Sequence, residues 1–179
     1  MLKRWLYRSR QFFGALLGRV SKEEMSEARR VLGPDLYSLF ARMPQQYRSH
    51  GIAVYKRVRE AGCEDANVWR AALLHDCGKY DPVTGQYVTI LHRVVVVLLE
   101  ASSAGRALLK ELSHHRGPRG LLNSLLYPLY LNASHTRRGA EIVAQHGASQ
   151  AIVRMVADHH KYSGQSDMLK ALQAADDRS

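Results

Sequence analysis

Apolar residues recur at three- and four-residue intervals along most of the chain, the spacing of one face of an α-helix. The first such stretch holds Leu2, Trp5, Leu6, Phe12, Phe13, Leu16, Leu17 and Val20, an amphipathic leader over residues 1–20. Ser21-Lys22-Glu23-Glu24 then has the form of a capping box and starts a new helix. Gly33-Pro34 ends that helix, and a short one from Asp35 to Arg42 runs to Met43-Pro44. Gln45 to Ala61 reads as a longer helix closed by Gly62. Glu64 to Asp76 follows, with Trp69, Ala72 and Leu73 on one face. Asp81 to Tyr87, with Pro82 and Gly85, reads as a loop.

Thr89 to Glu100 is ambiguous by pattern. Its run Val94-Val95-Val96-Val97 favours a strand. No partner strand is visible elsewhere, which leaves a buried helix. Ala104 to His115 is helical and is broken by Arg116-Gly117-Pro118. Leu121 to Tyr127 is a short apolar piece ended by Pro128. Leu131 to His146, Ser149 to His160 and Ser166 to Asp177 are the last helices. No internal repeat, low-complexity tract or linker interrupts the pattern. It predicts one all-α domain, a helical bundle over residues 21–179, preceded by the leader.

Composition narrows the setting. A chain of 179 residues suits one domain with a sizeable core. Cys63 and Cys77 form no CxxC pair, which argues against a disulfide framework and for a reducing, cytoplasmic environment. The formal net charge is +10, and half of it comes from Lys3, Arg4, Arg8, Arg10 and Arg19 in an acid-free leader. A basic balance suits nucleic acid, anionic lipid or phosphorylated substrates. Outside the leader there is no dense Lys/Arg stripe with interleaved aromatics, which argues against nucleic acid. The leader is a poor signal peptide, because arginines interrupt its apolar run and no small-residue cleavage site follows. No stretch is long and apolar enough to span a bilayer. The leader fits a helix packed on the protein's own core, or one making peripheral contact with an anionic membrane surface.

The chemistry centres on Leu73-Leu74-His75-Asp76-Cys77-Gly78-Lys79, where an apolar helix delivers an imidazole and a carboxylate side by side. Both are good ligands for a divalent metal. Gly78 is expected to end the helix in the left-handed conformation, and Lys79 to aim an ammonium at an anion. Further ligand-type residues lie on separate helices: His50, His135, His159-His160 and Asp176. Any one buried histidine is ordinarily a structural residue, but this ordered set points to a metal site. Neighbouring helical residues point about 100° apart, so His159 and His160 need the helix end to reach one point. His92 beside the valine run is expected in the core or behind the ligands. His114-His115 are placed in an exposed loop, and His146 before Gly147 at a helix C-terminus.

The order His50, His75-Asp76, His135, His159-His160, Asp176 resembles the HD superfamily of metal-dependent phosphohydrolases. The match runs from His50 to Asp176. It is most similar to the subgroup with His-Asp-x-Gly-Lys and additional histidines, as in HD-GYP phosphodiesterase domains. The resemblance implies a helical bundle and an enzyme that hydrolyses a nucleotide or other phosphate ester. It implies one divalent metal on His50, His75, Asp76 and Asp176. A second would share Asp76 with His135 and His159, with His160 as a further ligand or phosphate contact. Asp76 and Lys79 would be the catalytic residues, and Lys79 and His160 would touch substrate. Imidazole-rich ligation suits Fe, Mn, Zn or Ni. No Gly-Tyr-Pro follows the histidine pair, where the chain reads Lys161-Tyr162-Ser163-Gly164, so a cyclic dinucleotide is not implied. A single-metal nucleotidase and a non-catalytic nucleotide-sensing module stay open as alternatives.

Overall fold

The computed structural model describes residues 19–114, 123–161 and 166–179. Residues 1–18 of the leader, His115, the break at Arg116-Gly117-Pro118 and the start of the Leu121–Tyr127 piece lie outside the described residues. Among the described residues the chain forms α-helices and no strand, with one isolated bridge between Tyr80 and Tyr87.

Helix α1 spans Lys22–Arg42. Its capping box is formed, with the Ser21 N–H donating to Glu24 Oε2 at 2.7 Å. Gly33 breaks it at φ 73° and ψ 176°, and Pro34 restarts it, since a fixed φ suits a first helical position. The two expected helices are thus halves of one kinked element. Helix α2 (Gln45–Glu60) follows Pro44, and α3 (Ala66–Leu74) begins at Asp65, which accepts the N–H groups of Asn67 and Val68. A 3-10 turn over Cys77–Lys79 comes next. Helices α4 (Ile90–Glu100) and α5 (Ser103–His114) form a hairpin. Then come α6 (Asn123–Gln145), α7 (Gln150–Asp158) and α8 (Asp167–Asp176). Ser149 and Ser166 cap α7 and α8 through their hydroxyls.

Helix α3 is the centre of the bundle, packed by α1, α2, α7 and α8. Val68, Ala71, Ala72, Leu73 and Leu74 are all buried, as a helix apolar on every side requires. A smaller cluster of Val96, Leu109 and Leu129 joins α4 and α5 to α6.

Two expectations are corrected. Pro128 does not end a helix: α6 runs through it. A proline there removes one backbone hydrogen bond near the helix start, and burial of Leu129, Tyr130 and Leu131 outweighs the loss. Thr89 to Glu100 is helical but not a buried helix, since only Val96 of α4 is buried and Leu91 and Leu98 are 77% and 67% exposed.

Gly78 is a third correction. It is absent from the positive-φ glycines, which are Gly33, Gly62, Gly85 and Gly147. Its missing side chain serves close approach instead: a Cβ there would lie 2.1 Å from the His135 carbonyl oxygen and 2.7 Å from the Gly139 nitrogen. The 3-10 turn therefore rests directly on the α6 backbone. Gly51 does the same between α2 and α3, where a Cβ would meet the Leu73 carbonyl oxygen at 2.7 Å. Gly78→Ala should lower stability by roughly 2–3 kcal/mol, the upper range for overpacking. The readout is a lower urea midpoint at an unchanged denaturant slope. An unchanged midpoint would mean that the turn and α6 separate without cost.

Candidate metal centre

Three of the histidines share one local device. His75 at the end of α3 donates Nδ1–H to the Ala72 carbonyl at 2.9 Å. His135 in α6 donates to Asn132 at 2.6 Å, and His159 at the end of α7 donates to Val156 at 2.7 Å. A carbonyl oxygen only accepts, so Nδ1 carries the proton in each ring. Each bond reaches back three residues to a helical carbonyl. Each leaves Nε2 as the nitrogen that faces inward.

These nitrogens meet at Asp76, the residue that begins the 3-10 turn. Asp76 Oδ1 lies 3.7 Å from His75 Nε2 and 3.9 Å from His159 Nε2. On one side, His50 Nε2 is 2.9 Å from Asp176 Oδ1 and 3.2 Å from His75 Nε2. On the other, His135 stands edge-on to His159 and His160, with ring centroids 5.3 and 5.1 Å apart. Two groups result, His50 with His75 and Asp176, and His135 with His159 and His160. The ligand atoms within each group lie within 4.8 Å of one another. The helix end lets His159 and His160 serve one point: α7 stops at Asp158, and the two rings sit 4.2 Å apart. His159 is buried, whereas His160 is exposed.

Every site residue expected from the sequence is therefore brought together: His50, His75, Asp76, Lys79, His135, His159, His160 and Asp176. Lys79 differs in its aim. Its Nζ donates to Asp76 Oδ2 at 2.9 Å, so it holds the central carboxylate rather than standing free for an anion. Asp76 Oδ1 is 2.7 Å from the same ammonium but off its hydrogen-bonding direction, and accepts no hydrogen bond. Arg93 of α4 stands 3.7 Å from Asp76 Oδ2, a contact the sequence did not suggest. His92 caps α4 with Thr89, and His146 bonds the Ile142 carbonyl at the end of α6; both are structural. An open cavity of about 490 Å³ adjoins the cluster, lined by Lys79, Val96, Lys110, Asn132, His135 and His160 among others.

Electrostatics divide the rings. Burial opposes charge on His75, but Asp76 and Asp176 outweigh it and raise its pKa to about 9. Burial pushes His159 down to about 3, helped by His75. Burial and Lys79 hold His135 well below the ordinary histidine range. Burial also works against charge on Asp76 and Asp176, yet both are held low, Asp76 chiefly by Lys79 and Asp176 chiefly by His75. The site keeps two anionic carboxylates beside two neutral imidazoles, a donor set suited to a divalent cation.

The fit can be judged from unpaired atoms. His135 Nε2, His159 Nε2 and Asp76 Oδ1 are buried and have no hydrogen-bond partner. Orphaned buried polar atoms are uncommon and costly. The two imidazole nitrogens are orphaned outright and Asp76 Oδ1 is met by the Lys79 ammonium, an arrangement that could hold a cation. No family model, curated protein or solved structure matches the chain.

The His159 shift has a pH consequence. Unfolded, the ring takes its proton near the ordinary 6.5; folded, only near 3. Within that window the unfolded chain binds more protons, so stability falls as pH falls. Chelator-treated protein should show this drop in its urea midpoint. His159→Gln should flatten part of it, with His135, His160 and, at the acid end, the carboxylates of Asp76 and Asp176 supplying the remainder. An unaltered slope would show that His159 charges freely inside the fold.

Proposed function

We propose that this protein is a metal-dependent phosphohydrolase of the HD type, acting on a nucleotide or other phosphate ester at a two-metal site. One observation carries the reading. His135 Nε2 and His159 Nε2 are buried with no hydrogen-bond partner, and Asp76 Oδ1, which accepts no hydrogen bond and is ion-paired with Lys79, lies 3.7 and 3.9 Å from the Nε2 atoms of His75 and His159, one from each ligand group. His50, His75 and Asp176 would hold one metal and His135, His159 and His160 the other, with Asp76 shared between them. Fe, Mn, Zn or Ni suits this ligand set. Such metals, when bound, supply an activated water and a clamp on the phosphoryl group.

The chain's own residues do the rest. The Nδ1–H bonds of His75, His135 and His159 fix the rings so that Nε2 faces the ligand space. Lys79 holds Asp76 in place, and because it also lines the cavity its ammonium can offset charge on phosphoryl oxygens. His160 is exposed at the same cavity, where it can meet both metal and phosphate. The cavity volume, about 490 Å³, falls within the range of small-molecule sites. A cytoplasmic location fits the absence of a CxxC pair in the sequence.

The test is a hydrolysis screen of Mn- or Fe-loaded protein against phosphomonoesters, cyclic nucleotides and linear dinucleotides. Turnover of at least one class is expected, and Asp76→Ala should abolish it together with metal binding. Metal retained with no turnover of any class would replace the enzyme by a nucleotide-sensing module. Lys79→Ala should keep the metal and lower turnover by about 10²–10³-fold, the scale of one lost transition-state donor. Full turnover in that variant would remove Lys79 from the chemistry.

A further inference from the structure

Among the described residues, every large apolar side chain that is strongly exposed, apart from Met168, lies between Val83 and Leu108. The centre of this patch is α4. Leu91, Val94, Val95 and Leu98 recur at the spacing of a single helix face, and all four are exposed. Leu108 of α5 and Val83 and Tyr87 of the preceding loop are exposed as well. The opposite face of α4 carries Arg93 near Asp76, and Val96 and Glu100 against the cavity. The helix is thus turned with its apolar side outward. The inward face packs through Val96 and Leu99 on the cluster shared with α5 and α6, and the outward apolar residues are left uncovered among the described residues.

We propose that the outward face of α4 docks on an anionic bilayer surface. Aliphatic side chains grouped this way mark an interaction site rather than ordinary surface. Charge selects the occupant. A second copy of a chain with net charge +10 is repelled, whereas an anionic membrane attracts it. The leader has the same chemistry, with Lys3, Arg4, Arg8, Arg10 and Arg19, no acid, and apolar residues at helical spacing. A single weak membrane contact anchors poorly, and two together anchor stably. No helix among the described residues is long and apolar enough to cross a membrane, so the contact is peripheral. The docking face and the cavity lie on opposite sides of α4, so binding leaves the cavity on the side of the helix away from the bilayer.

The test sediments the full chain with vesicles of phosphatidylcholine mixed with phosphatidylglycerol, and with phosphatidylcholine alone. Binding is expected only to the mixed vesicles and should weaken with salt. The double variant Leu91→Gln/Leu98→Gln should bind about tenfold more weakly. Its melting temperature should be unchanged, because both side chains are solvent-exposed. Equal binding by the variant would overturn the proposal and leave the leader as the sole contact. A native dimer in light scattering that the variant dissolves, with no vesicle binding, would overturn it in favour of a second copy.

Discussion

The Nδ1–H bond to the carbonyl three residues earlier is the interaction on which the centre depends. His75, His135 and His159 all make it. It fixes the tautomer and stops the ring from turning, so Nε2 is committed to the interior before any ligand arrives. For His135 and His159 that commitment leaves a buried nitrogen without a partner. Each such atom costs about 1–3 kcal/mol. The bundle therefore carries a local penalty at one point, and a cation there would offset it. This is preorganisation of the kind that metal sites use, with the supporting bonds supplied by helix termini and helical carbonyls.

Charge balance gives the site its second constraint. Asp76 is buried with Lys79 as its immediate partner, an arrangement that burial alone disfavours for both groups. Asp176 is matched instead by His75, whose pKa rises to about 9. The proton on His75 and a metal ion compete for the same nitrogen, so metal uptake is coupled to proton release. Convergence of the helices makes these pairings possible. Gly51 admits α3 against α2 beside His50, and Gly78 admits α6 against the turn that carries Asp76.

Much of this was legible in the sequence. Periodicity and caps placed the helices, and the capping box at Ser21 and the stop at Gly62 are where the pattern put them. The ordered histidines and aspartates anticipated the cluster, because ligand-type residues on separate apolar helices have few other uses. Other features depend on how the helices meet. The role of Gly78 comes from the approach of α6, which no local signal encodes. The pairing of Lys79 with Asp76 depends on the 3-10 turn that follows α3. For α4, the valine run favours a strand, and only the lack of a partner strand points to a helix; the expected burial fails because Val96 alone of its residues is buried. The exposure of Leu91 and Leu98 and the approach of Arg93 to Asp76 both depend on how α4 is turned against the bundle, which no local pattern encodes.

The central claim is that two ligand groups share Asp76. Anomalous diffraction from crystals of the protein grown with Mn tests it most directly. The account predicts two peaks, one among His50, His75 and Asp176 and one among His135, His159 and His160, with Asp76 between them. A single peak, with the Nε2 atoms of His135 and His159 hydrogen-bonded to water or protein, would contradict it.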